Sequence, residues 1–230
     1  MPLSHTEYSN ICASLGRYLP EKEGEFTDTL NHMLCLAENE YGSRDDAFVI
    51  WDVEFTRKHP SVYGLRLGAK VVTIILSRAV LASARAGEWR NAYWELAHEC
   101  VHLLSPPMQK GPIVLEEGVA CDFQRRYMRE HFEFDRPQRM ACYASAEAKF
   151  QELRDLDEDI VWKLRREEPV FRRITPSLIL RHCPAASDEL AEALTRPFNR
   201  EANIEPLDVP VPRPAALVLT PTAFSARRRG

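Results

Sequence analysis

Long apolar runs are missing from this chain of 230 residues. The longest, Val71 to Leu76, falls far short of the roughly 20 residues a helix needs to cross a bilayer. A secretory start is missing too: Met1-Pro2-Leu3-Ser4-His5 has no basic segment followed by an apolar core, so no signal peptide is expected. There is no excess of one charge. The net charge of −4 gives no footprint for a nucleic-acid or anionic-membrane partner, so neither is expected. The six cysteines (12, 35, 100, 121, 142 and 183) are scattered and form no CxxC pair. That spacing argues against a disulfide framework and for mostly buried free thiols in a reducing compartment, with the cytoplasm as the expected location. What remains is ordinary for a soluble globular protein, 45% hydrophobic and 28% charged, and long enough to bury a real core.

Periodicity predicts a largely helical first forty residues, with a clear helix from Glu25 to Glu40, and then a turn at 42–46. A strand follows at 47–55, and Ser61 to Leu67 reads as a loop or short edge strand. Lys70 to Leu76 reads as a more central strand because its run is nearly all apolar. Helices are expected at 77–86, 88–104, 115–129, 137–154, 157–168, 176–182 and 187–196, with Thr175-Pro176 as a cap and first-turn pair. The expected fold is α+β: a small, mostly antiparallel sheet packed on the 88–104 helix, followed by a helical second half. Residues 1–200 are expected to form one domain, sheet-containing to about 104 and helical from about 105 to 200. The proline-rich 201–230 reads as a weakly ordered tail.

Inside the 88–104 helix lies His98-Glu99-Cys100-Val101-His102, an HExxH motif. Histidines four apart project from one helix face, so both imidazoles can bind one Zn²⁺ while the adjacent glutamate takes a proton from water. An isolated HExxH arises often by chance, so its surroundings decide. No charge other than Glu99 interrupts Leu96 to Leu104, and polar histidines in so apolar a segment need a partner. Catalytic zinc takes three protein ligands. One loop downstream, Glu116-Glu117-Gly118-Val119-Ala120 opens a helix in which a carboxylate could serve, with small neighbours allowing close approach to the motif helix. Position 108, where a three-histidine zincin would carry its last ligand, is Met108.

The pairing of HExxH with Glu117-Gly118-Val119-Ala120 resembles the gluzincin metallopeptidases, over about Trp94 to Phe123, and in size the compact, peptidase-MA-like bacterial proteins. The resemblance implies a zincin-like fold, His98, His102 and Glu117 as zinc ligands, and Glu99 as general base. Glu116 competes with Glu117 and could instead orient a histidine. Gluzincins usually add a tyrosine or histidine donor to the oxyanion, for which Tyr143, Tyr127 and His182 are the candidates. Asp122 could hold a ligand histidine or be simply solvated, Cys100 points into the apolar stripe, and Arg125-Arg126 and Arg165-Arg166 read as solvated faces.

The expected function is therefore a zinc-dependent peptidase acting on a peptide or protein substrate. The alternative is a catalytically restricted or inactive zincin-fold regulatory or binding protein. An intact Glu99 favours catalysis, since a structural zinc needs no general base. Oligomeric state is left open.

Overall fold

The computed structural model describes residues 26–50, 53–56, 60–64, 70–85, 88–106 and 111–200. The readings of 1–25 as helical and of 201–230 as a tail lie outside the described residues.

Helix α1, Thr27–Tyr41, buries Leu30, Met33, Leu34, Ala37 and Tyr41, a stripe at helical spacing. It stops at Gly42, whose φ of +91° suits glycine and whose N–H donates to the Glu38 carbonyl at 2.9 Å. The sheet follows: β1 Val49–Ile50, β2 Glu54–Thr56, β3 Ser61–Gly64 and β4 Val71–Ser77. The single strand expected at 47–55 is thus two short ones. β4 is buried from Val72 to Leu76, in keeping with its central position.

The mostly antiparallel sheet is corrected. β1 and β2 pair with β4 in parallel, and only β3 pairs with it antiparallel. Val72 pairs with both Ile50 and Gly64, and Ile75 with both Glu54 and Ser61. A strand has two edges, so β1 and β2 share the edge opposite β3. After β2 the chain crosses to the far edge as β3 and turns back, which returns β4 parallel to where it started. The nearly all-apolar β4 needs a neighbour on each side, and this path supplies both.

The helical part comprises α2 Arg78–Arg85, α3 Arg90–His102, α4 Val114–Phe132, α5 Ala141–Leu156, α6 Ile160–Glu167, a 3₁₀ turn Phe171–Arg173, α7 Pro176–His182 and α8 Asp188–Thr195. α3 lies against β4, and α4 is packed between α3 and α5. Thr175 caps α7 by accepting from the Leu178 N–H at 3.2 Å, with Pro176 in the first turn as expected. Among the described residues, no helix is long and apolar enough to cross a membrane.

Two sequence expectations change here. Gly118 does not draw α4 toward the motif helix; it faces α5. A Cβ there would stand 2.5 Å from the Ala146 carbonyl oxygen and 2.6 Å from the Phe150 Cβ. Backbone cannot retreat as a side chain can, so Gly118→Ala forces α4 and α5 apart. The expected net loss is about 2 kcal/mol, since overpacking of this kind outweighs the roughly 1 kcal/mol that alanine gains in helix propensity. Urea denaturation checks it, and an unchanged midpoint would refute the close contact.

Arg165 is no solvated surface group. It is 4% exposed and donates to five carbonyls: Tyr41, Gly42, Ser43, Leu104 and Pro169, at 2.6 to 3.2 Å. Its guanidinium also lies 5.1 Å from the Phe171 ring centroid. One side chain thereby ties the end of α1, the end of α3 and the turn after α6.

Candidate metal centre

α3 holds His98 and His102 one turn apart, their ring centroids 5.2 Å from each other. α4 packs along α3 and brings its first turn to them. Its N-cap, Ile113, is extended, and Glu116 and Glu117 fall in the first turn, where free backbone N–H groups and the helix dipole favour negative charge. Both carboxylates are buried.

Nε2 of His98 stands 3.1 Å from Oε2 of Glu117, and Nε2 of His102 stands 3.8 Å from Oε1 of the same carboxylate. One ligand atom from each of the three residues lies within 4.8 Å of the others. Three donors at ~2.0–2.1 Å from a tetrahedral metal would be separated by about 3.3 Å, so the spacing suits a shared ion. Glu117 Oε1 is buried and has no hydrogen-bond partner. A buried carboxylate oxygen without a donor is costly, and a cation in front of it removes that cost. The His98–His102–Glu117 group can therefore hold a metal ion.

The outer nitrogens are also accounted for. His102 Nδ1 pairs with Glu116 Oε1 at 2.8 Å, the orienting contact that the sequence offered as an alternative for Glu116. His98 Nδ1 faces Cys121 Sγ at 3.9 Å, a weak contact. Burial alone would lower the His102 pKa. The Glu116 hydrogen bond and the charges of Glu117, Glu116 and Glu99 outweigh it and raise the value to about 9. Burial pushes the Glu117 carboxyl up, but the His98 bond and both histidine charges hold it below the usual carboxylate range.

Glu99 follows His98 on α3 and lines the same cleft, where burial raises its pKa against the pull of His102 and His98. Tyr143, on α5, joins the site: its ring lies 5.6 Å from that of His98, edge to face. Burial, and then the Glu117 carboxylate, keep its phenol protonated far above the ordinary range.

His182 is not brought to the centre. It sits at the end of α7 and bonds to Glu167 at 3.0 Å, because α7 packs on α6 and α8 rather than on α3. Tyr127 points elsewhere as well, its hydroxyl 3.0 Å from His32 Nδ1. Asp122 orients neither histidine; it accepts from Arg126 at 2.8 Å and Arg154 at 2.7 Å. Cys100 is buried in the apolar core, as its helical direction implied, and burial raises its thiol pKa.

Sequence reasoning missed the arginines of the cleft, Arg200 above all. The segment before it is clamped beside the start of α4: Val114 N–H donates to the Arg196 carbonyl at 3.0 Å and Phe198 N–H to the Pro112 carbonyl at 2.9 Å. Ile113 and Pro197 form an isolated antiparallel bridge between these bonds. The clamp delivers Arg200 to the cleft, with its guanidinium 5.8 Å from the Tyr143 ring centroid. No local signal marks an arginine just after a helix, since a pairing across the whole helical half creates its position.

No protein-family model matches the chain, and no match was found among curated proteins or among solved structures.

Proposed function

We propose that this chain is a zinc-dependent metallopeptidase with a zincin-like arrangement of the gluzincin type. The carrying observation is the convergence of His98 Nε2, His102 Nε2 and the Glu117 carboxylate around a buried oxygen that lacks a donor, with Glu99 in the adjoining cleft. Two imidazoles and one carboxylate are the donor set of catalytic zinc in this type of peptidase. When bound, zinc supplies Lewis acidity that acidifies water and polarises a carbonyl.

The chain's own groups divide the rest. Glu99 accepts the proton of the attacking water and returns it to the departing amine. Tyr143, kept protonated, donates a hydrogen bond to the oxygen that becomes negative as the carbonyl is attacked. Glu116 fixes the His102 ring so that Nε2 faces the ligand cluster. The substrate backbone can add along β3, whose preceding residue Pro60 lines the cleft. Four of the five described cysteines are buried and all five are free, which supports a reducing, cytoplasmic setting.

Two experiments bear on this reading. The purified protein should carry about one zinc per chain and cleave members of a peptide library; chelation should abolish cleavage and added zinc restore it. Zinc without cleavage would favour the regulatory alternative, and absence of metal after gentle purification would remove both. Separately, Glu116→Gln should weaken zinc binding by about 10- to 100-fold in a competition titration while preserving the fold. Unchanged affinity would deny Glu116 its orienting role.

A further inference from the structure

The cleft at the ligand cluster encloses about 510 Å³ and is bordered by three arginines, Arg136, Arg139 and Arg200, against two carboxylates, Glu95 and Glu99. Both carboxylates act on these cations but are also engaged elsewhere, and three positive charges stand against two negative ones. Glu95 accepts from the backbone N–H and the hydroxyl of Ser77, both at 2.7 Å, and Glu99 faces the histidines.

Several partly buried arginines elsewhere find acidic partners. Arg125 pairs with Glu147, Arg126 with Asp122 and Glu40, and Arg154 with Asp122. Among the described residues, half-buried Arg136 and Arg200 have no such ion pair, and the third, Arg139, is exposed and has none either. Arg136 is held by other means: it donates to Asn91 Oδ1 at 3.1 Å and lies 4.4 Å over the Trp94 ring and 5.5 Å over Phe134. Burial and the nearby Arg139 pull its pKa down to about 10, against the opposing charge of Glu95. A fixed guanidinium with a second cation beside it is a site suited to negative charge.

The cations also flank the reacting groups. The charge of Arg200 acts on Glu99, Glu117 and Tyr143, whereas Arg136 and Arg139 come from the connection between α4 and α5 and act near Glu95.

We propose that this cleft selects peptides carrying a carboxylate close to the scissile bond, gripped by Arg200, Arg136 and Arg139. The inference rests on the peptidase reading for its substrate class. The carboxylate comes either from an acidic side chain or from the free end of the peptide. Guanidinium binds it through paired N–H donors in both cases.

The test uses the full chain carrying Glu99→Gln and loaded with zinc, so that ligands stay intact. Three hexapeptides serve as calorimetric probes: one blocked at both ends with a central aspartate, its asparagine isostere, and the isostere with a free carboxyl end. At low salt the aspartate probe should bind about tenfold more tightly than the isostere, as expected for a charge-assisted contact. Arg200→Gln, and the double change Arg136→Gln with Arg139→Gln, should each erase most of that preference without changing zinc content. A matching gain for the free-end probe would identify the terminal carboxylate as an accepted source, and a gain for aspartate alone the side chain.

Equal binding of all three probes, no binding of any probe, or a preference that survives in both arginine variants would overturn the inference. Wild-type protein that binds the aspartate probe but cleaves neither it nor any member of the peptide library would instead defeat the peptidase reading and leave anion recognition standing.

Discussion

Glu99→Gln is expected to keep a full complement of zinc and to lose about 10²- to 10⁴-fold in kcat on any peptide the wild type cleaves, the range usual for a positioned general base. The amide keeps the shape of the side chain but has no negative charge with which to take a proton from water. Glu99 is buried in the cleft wall beside His98 and is not one of the three converging donors. Metal retention and loss of turnover should therefore separate cleanly, with KM little changed because the lost interaction belongs to the transition state. Loss of zinc together with activity would mean that Glu99 serves the metal rather than the water. Unimpaired turnover would remove it from the chemistry.

The second large effect concerns stability. Arg165→Met should lower the free energy of unfolding by about 3–5 kcal/mol, because each buried carbonyl left without a donor costs about 1–3 kcal/mol and water offsets part of the sum. Methionine fills much of the volume but leaves the carbonyls of Tyr41, Gly42, Ser43, Leu104 and Pro169 without the donor they share. Some of those carbonyls terminate helices, where no intrahelical partner exists. Arg165→Lys should recover only a minor part, because an ammonium cannot present five donors in a planar fork. Thermal unfolding followed by circular dichroism measures this: the expected fall in Tm is about 10 °C. A loss below about 1 kcal/mol would show that water replaces the guanidinium and that the five bonds contribute little net stability.

Much of this was readable from residue order. α1, α3 and α4 declared themselves through apolar spacing, and Thr175-Pro176 marked the start of α7 because capping is a local matter. The ligand cluster was legible for a similar reason: four-residue spacing fixes the two histidines relative to one another, and the first turn of the next helix supplies the carboxylate. Sheet direction was not legible. A hairpin between β3 and β4 is local, whereas the parallel pairing of β1 and β2 with β4 depends on β3 being laid down along the opposite edge.

Arg165-Arg166 shows how a doublet misleads. The buried positions of α6 are Ile160, Val161, Leu164 and Arg165, so the four-residue step from Val161 already placed Arg165 on the inward stripe. Reading the pair as one charge cluster hid that step. Gly118 misled differently: its smallness was a true sign of close approach, but sequence does not say which neighbour approaches.

The backbone clamp between 112–114 and 196–198 has a consequence in time. Chains are synthesised from the N-terminus at about 5–20 residues per second, so Glu117 leaves the ribosome several seconds before Arg200. A nascent chain can assemble its histidines and glutamates while the arginine beside them has yet to be made. If the cleft is what we propose, metal capture comes first during synthesis and discrimination among substrates is acquired late, when the strand-like segment at 196–198 closes on Ile113.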